Sequence, residues 1–198
     1  RTELIIQSNE SNAVISLLKN GRLVELVNED AKQQFSVGDV YLGQVRKLAT
    51  SLNAGFVDVG YEKDAFLHYH DLGPQISSWL SFNKKVHLGK QSSNIADFGL
   101  FPQIKKDGDM DNVLKPGNEV LVQVVKEPIS TKGPRVTSEI SIAGRFIVLV
   151  PFTDRISVSQ KIRERKEKDR LRKLVQAMRP KGFGVIVRTV ADLSLIHI

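Results

Sequence analysis

Residues 51–72, "SLNAGFVDVGYEKDAFLHYHDL", carry the pattern on which the fold turns. Val57 and Val59 alternate with Phe56 and Asp58, and Ala65 and Leu67 alternate with Phe66 and His68. Period-two alternation on both sides of a tight turn predicts two short antiparallel strands. If Phe56 pairs with Phe66 across the turn, both rings lie on one face, and Val57, Val59, Ala65 and Leu67 take the core face. Lys63, His68 and His70 then lie near the rings. Two rings on a water-facing surface suit something flat that stacks on them. The competing arrangement is that residues 73–113 fold over them.

The pattern continues outward. Residues 37–49, "VGDVYLGQVRKLA", alternate as a strand with Val40, Leu42 and Val45 as apolar markers. Residues 73–113 are rich in Gly, Ser, Asn, Lys and Asp, as in "KQSSN" and "KKDGDMDN", so they read as a long insertion. Trp79, Phe82, Phe98 and Phe101 within it predict some packing or short helices. A Pro116-Gly117 turn leads into a strong strand over 119–125. Five strands with one long insertion predict a Greek-key barrel of OB type over 37–128, which binds ligands on the face of its second and third strands. Before it, residues 2–7 and 13–18 are strand-like, and Asn20-Gly21 is a strong hairpin signal. After it, residues 135–152 are strand-like at both ends. Residues 157–178 predict a helix with Leu171, Leu174, Val175 and Met178 in one apolar stripe. Ser157 or Ser159 is expected to cap it, and Pro180 and Gly182 to end it. A last strand runs into Arg188-Thr189. The fold class is α+β and β-rich.

Composition narrows the function. The chain has 198 residues and a formal net charge of +7. Residues 155–181 hold 11 Lys and Arg against 3 Asp and Glu. A basic block on an otherwise balanced protein points to a polyanion partner or to a solvated helix face. No apolar run approaches the roughly 20 residues of a membrane span. There is no cysteine, which rules out disulfides and thiolate metal sites on this chain and fits a reducing cytoplasm. "RTEL" at the start lacks an initiator Met and shows no signal peptide. Residues 193–198, "LSLIHI", resemble a translated sequencing adapter, so the chain is expected to be a fragment.

The remaining motifs are weak singly. Lys126, Lys132 and Arg135 lie on a loop that can present cations to phosphates beside the rings. The basic stretch 161–173 can lie along RNA, but Glu164, Glu167 and Asp169 also offer ordinary surface pairs. Arg188-Thr189 combines a guanidinium fork with a hydroxyl, which suits a phosphate. Asp58 and Asp64 flank the hairpin as solvated acids. The His68-x-His70 spacing does not by itself make a metal site. No nucleophile triad, phosphate loop or dinucleotide fingerprint is present.

Four blocks in order resemble the amino-terminal part of the ribonuclease E/G family: "AVISLLKNGRLVELVNE", "VGDVYLGQVRKLATSLNAGFVDVGYEKDAFLHYHDL", "LKPGNEVLVQVVKEPISTKGPRVTSEISIAGRFIVLVP" and "GFGVIVRT". The resemblance implies an OB-fold RNA-binding domain, 37–128, inserted into a ribonuclease-H-like domain made of 2–35 and 134–192. It implies RNA contacts by Phe56, Phe66 and Lys132. It implies a pocket for the 5′-monophosphate of RNA at Gly144, Val148, Arg188 and Thr189. "VSQKI" stands where some members have "ISRRI", so Gln160 replaces an arginine near that pocket. The resemblance further implies that catalysis, with Mg²⁺ held by two aspartates, resides in a separate nuclease domain. It places Zn²⁺, in many members, at a separate cysteine motif. This chain is expected to hold no metal and to be inactive alone. The parent is expected to be a cytoplasmic homodimer or homotetramer that cleaves single-stranded RNA in rRNA maturation and mRNA decay.

Two other readings stand beside this one. The chain could be a non-catalytic OB-fold RNA-binding protein of translation or ribosome assembly. It could also be a structural module whose basic helix docks on an acidic protein.

Overall fold

The computed structural model describes residues 1–9, 12–30 and 35–192. The adapter-like stretch 193–198 lies outside the described residues. Two compact units divide the chain, Arg1–Ser36 and Val37–Ile198.

The first unit is an antiparallel meander of β1 (Thr2–Ser8), β2 (Asn12–Lys19) and β3 (Arg22–Asp30). Asn20 and Gly21 take φ of 52° and 75° at the β2–β3 turn. This is the pair of positive φ values that a two-residue hairpin needs. Leu4, Ile6, Leu23 and Leu26 remain exposed.

The second unit holds a closed five-stranded barrel, in the order β4-β5-β6-β8-β7. Its strands are β4 (Val40–Ala49), β5 (Ala54–Asp58), β6 (Ala65–His68), β7 (Glu119–Lys126) and β8 (Arg135–Thr137). This agrees with an OB-type barrel. The fifth strand lies beyond residue 128, where the sequence reading ended the domain. Three residues are too few to show alternation, and β8 is defined by its neighbours. It runs parallel to β6 and antiparallel to β7. The barrel core is Val45, Val57, Leu67, Val120, Val122, Val124 and Val136, each no more than 1% exposed.

Residues 73–113 contain α1 (Ile76–His87) and α2 (Met110–Val113). They are fastened to the barrel by polar bonds. Asn53 donates to the Gly108 carbonyl at 2.8 Å and accepts from the Met110 N–H at 2.7 Å, and the Tyr69 hydroxyl donates to the Lys105 carbonyl at 2.7 Å.

A four-stranded sheet follows, in the order β11-β12-β10-β9. It comprises β9 (Ile142–Ala143), β10 (Ile147–Pro151), β11 (Ile156–Val158) and β12 (Phe183–Val187). Helix α3 (Arg165–Met178) covers one face, burying Leu171 and Val175 with Val185, Val187 and Ala191. The helix starts later than the sequence pattern predicts, because Ile156–Val158 pairs in parallel with β12. Neither Ser157 nor Ser159 caps it. Glu164 occupies the cap position without a side-chain bond. Met178 lies outside the packed stripe and is exposed.

The sheet and the barrel form one unit through an aromatic cluster. Phe152, just after β10, lies 4.4 Å from Trp79, 5.6 Å from Phe82 and 5.7 Å from Phe98 between ring centroids. Ring edges meeting ring faces are favourable at these separations. The 73–113 insertion is therefore a strut between the two halves. No described helix is long and apolar enough to cross a membrane.

Candidate nucleic-acid interface

Phe56 and Phe66 are direct cross-strand partners in β5 and β6. Their centroids are 5.8 Å apart with the rings at 71°. Val57, Ala65 and Leu67 on the opposite face are completely buried, and Val59 is buried. The alternation read from residues 51–72 thus fixes which face the rings occupy. The insertion does not cover them. They open into a groove of about 600 Å³ whose lining includes Lys47, Lys63, Lys126 and Lys132 and no residue of 73–113.

Two β-bulges supply two of those lysines. On β4, Val45 pairs with Val57 and Lys47 pairs with Phe56, which leaves Arg46 as the extra residue. On β7, Val124 pairs with Val136 and Lys126 pairs with Arg135, which leaves Val125 as the extra residue. Strict alternation after buried Val45 and Val124 would send Lys47 and Lys126 into the core. The added residue reverses the parity and turns both outward. The Lys47 ammonium stands 4.8 Å from the Phe56 centroid, a cation–π distance. Sequence reasoning did not identify Lys47. The signal was present in "QVRK", where two successive cations break a clean alternation.

The loop carrying Lys132 is pressed against the β5–β6 turn. A Cβ added to Gly133 would meet the Asp64 carbonyl oxygen at 2.2 Å. The Ile129 and Lys132 backbones bond each other, which closes the loop. Lys132 is exposed beside the rings, as the sequence reading expects.

Arg135 behaves differently from that expectation. Its guanidinium is engaged by Asp71, with Nε at 3.0 Å and Nη2 at 2.8 Å from Oδ2. It lines the groove as a half-exposed guanidinium held in place by that ion pair. His68 and His70 extend the row of rings. Phe66 and His68 are 6.4 Å apart, and His68 and His70 are 5.0 Å apart. The His70 N–H donates to His68 Nδ1 at 3.1 Å, so a neutral His68 presents Nε2–H. At the turn, the Gly60 N–H and then Arg46 stabilise the Asp58 carboxylate and hold its pKa below the ordinary value.

The second predicted cluster sits where β12 meets the β9–β10 turn. Arg188 Nη1 donates to the Gly144 carbonyl at 2.8 Å, and the Arg188 N–H donates to the Phe146 carbonyl at 2.8 Å. The Thr189 and Ser159 hydroxyls share a bond of 2.9 Å. The fold therefore brings Gly144 into contact with Arg188, whose chain neighbour Thr189 carries the hydroxyl. Val148 lies on β10, between β9 and β12, paired with Ala143 of β9 and Ile186 of β12. Sequence reasoning missed Ser159 as the partner of Thr189. Gln160 is exposed next to it.

A closed five-stranded barrel with paired rings and four lysines lining one groove is consistent with the OB-fold class. The ribonuclease E/G family model matches residues 141–194. The chain is 35% identical to ribonuclease E of Synechocystis sp. over 184 residues, which is 92% of this chain and 23% of that protein. It is 33% identical to ribonuclease E of Nostoc sp. over 184 residues, again 92% of this chain and 23% of that protein. It is 30% identical to ribonuclease G of Escherichia coli over 190 residues, which is 96% of this chain and 35% of that protein. The chain belongs to the ribonuclease E/G family. It spans between about a quarter and a third of the length of these relatives.

Proposed function

We propose that these residues are the RNA-holding part of an endoribonuclease that cleaves single-stranded RNA in rRNA maturation and mRNA decay. The observation that carries the reading is the open Phe56–Phe66 pair, in one groove with Lys47, Lys63, Lys126 and Lys132. Bases stack on the rings whatever their identity, and the lysines neutralise the backbone.

The same proposal assigns Gly144, Val148, Arg188 and Thr189 to a 5′-monophosphate. The Arg188–Gly144 and Thr189–Ser159 bonds support it by holding a guanidinium and a hydroxyl at one end of the sheet. Residues 2–35 and 134–192 are read as two segments of one ribonuclease-H-like domain, apart from β8 (Arg135–Thr137), which completes the barrel. Hydrolysis is assigned to a separate Mg²⁺-dependent nuclease segment, with Zn²⁺ at a separate cysteine motif and a cytoplasmic homodimer or homotetramer as the working assembly. Among the described residues no group of three or more His, Asp or Glu side chains is placed to hold a metal, so no step is assigned to one here.

The test is binding of a short fluorescent single-stranded RNA at fixed salt, with 5′-monophosphate and 5′-hydroxyl ends. Binding that is lost in Phe56→Ala/Phe66→Ala supports the stacking groove. Tighter binding of the monophosphate, abolished by Arg188→Ala, supports the end pocket. Undiminished binding by the double-ring variant rejects the groove.

A further inference from the structure

The outer face of α3 concentrates charge that neither the ring groove nor the Arg188 cluster uses. Leu171 and Val175 point into the sheet and are buried. Arg170 is tied to Glu167 and Arg172 to Asp169. Arg165, Lys166 and Lys173 are exposed, and Lys161 and Arg163 are exposed just before the helix. Lys166 and Lys173 are seven residues apart, as are Arg165 and Arg172. Each spacing is two turns, so the cations form two tiers about 10.5 Å apart on one side.

Helix stability does not account for this arrangement. Anions favour a helix N-terminus and cations its C-terminus. Here Arg165 and Lys166 open the helix, Glu167 is the one acid in the first turn, and the last turn has no base. Glu164 at the N-cap and Arg179 at the C-cap suit the dipole, but the exposed pair Arg165 and Lys166 stands at the end where it disfavours cations. A membrane surface is also a poor match. The apolar stripe is consumed by the core, and an interfacial helix needs an apolar face to bury in lipid.

We propose that this face holds the phosphodiester backbone of RNA at a second station, independent of sequence and outside the ring groove. The identity of the polyanion rests on the RNA-binding reading above; the existence of a localised polyanion site does not. Lysine and arginine at this spacing contact phosphates as charges and read no base. The station would lengthen the RNA footprint and make affinity strongly dependent on salt.

The experiment measures Kd for fluorescent single-stranded RNAs of two unrelated sequences across a range of KCl concentrations. It uses the whole chain and Arg165→Gln/Lys166→Gln/Lys173→Gln. Glutamine is a good helix former, so the helix signal in circular dichroism is expected to persist. Each lost phosphate contact on single strands flattens the slope of log K against log salt by about 0.7. The triple variant is therefore expected to flatten it by about 2, equally for both sequences. Lys90→Gln/Lys105→Gln/Lys106→Gln removes the same charge from exposed positions of the insertion and is expected to change the slope far less. An unchanged slope in the α3 variant overturns the proposal, and so does equal flattening in both variants. Loss of binding to phosphatidylglycerol vesicles with an unchanged RNA slope also overturns it, in favour of lipid. Phe56→Ala/Phe66→Ala separates the two readings. If the ring variant is silent while the α3 variant flattens the slope, the groove fails and the helix station stands.

Discussion

The ring groove and the Arg188 cluster both collect groups suited to nucleic acid, but they are built in different ways. In the groove, Phe56 and Phe66 are ten residues apart, and their meeting is dictated by the register of a single hairpin. In the cluster, Arg188 meets Gly144 across 44 residues, and Thr189 meets Ser159 across 30. The groove presents ring faces and several ammonium groups, which suit many bases along a strand. The cluster presents one guanidinium and one hydroxyl pair in fixed positions, which suits a single terminal group. On the function proposed above, local register makes a tolerant surface and long-range closure a selective one.

The largest expected effect tests the groove. Each stacked base contributes roughly 1–3 kcal/mol, so Phe56→Ala/Phe66→Ala is expected to weaken RNA binding on the order of a hundredfold or more. The melting temperature should stay near that of the parent, because neither ring is in the barrel core. A large drop in melting temperature would mean that the rings support the fold rather than the ligand.

Gly133→Ala comes next. Its Cβ would run into the Asp64 backbone, so the loop must move away from the turn, at a cost of about 1–3 kcal/mol. Lys132 should shift with it, weakening RNA binding and lowering the melting temperature together. Normal binding and stability would show that the loop reaches the groove in more than one way.

Arg188→Ala is expected to reduce the preference for a 5′-monophosphate over a 5′-hydroxyl by roughly tenfold, in line with one charge-assisted contact. Binding of the hydroxyl-ended RNA should change little. Equal loss for both ends would erase the contrast between the two regions.

The smallest effect concerns the turn that shapes the groove. The folded-state pKa of Asp58 is depressed by the Gly60 N–H and by Arg46. Its stabilising contribution is therefore present above the unfolded value of about 3.9 and is lost as pH falls through the lower folded value. Asp58→Asn should melt slightly below the parent near neutral pH. The gap should close in acid, and a gap that is independent of pH would contradict the assignment.

Sequence by itself determined the β-rich class, the hairpin, the face taken by Phe56 and Phe66, and the Leu171 and Val175 part of the apolar stripe of α3. Each of these depends on periodicity within a few residues, where side-chain direction follows directly from backbone geometry. It also carried the four blocks that resemble the family. Only the tertiary structure decided that Lys47 and Lys126 face the rings, because a bulge is visible only in the pairing of two strands. The same holds for Arg135, whose charge is already engaged by Asp71 from another strand's end. It holds for β8, too short to announce itself, and for Ser157 and Ser159, which enter or follow a strand instead of capping the helix. The role of residues 73–113 as a strut was likewise hidden. Its aromatic residues are spaced without a period, and Trp79, Phe82 and Phe98 cluster with Phe152, brought from a distant part of the chain.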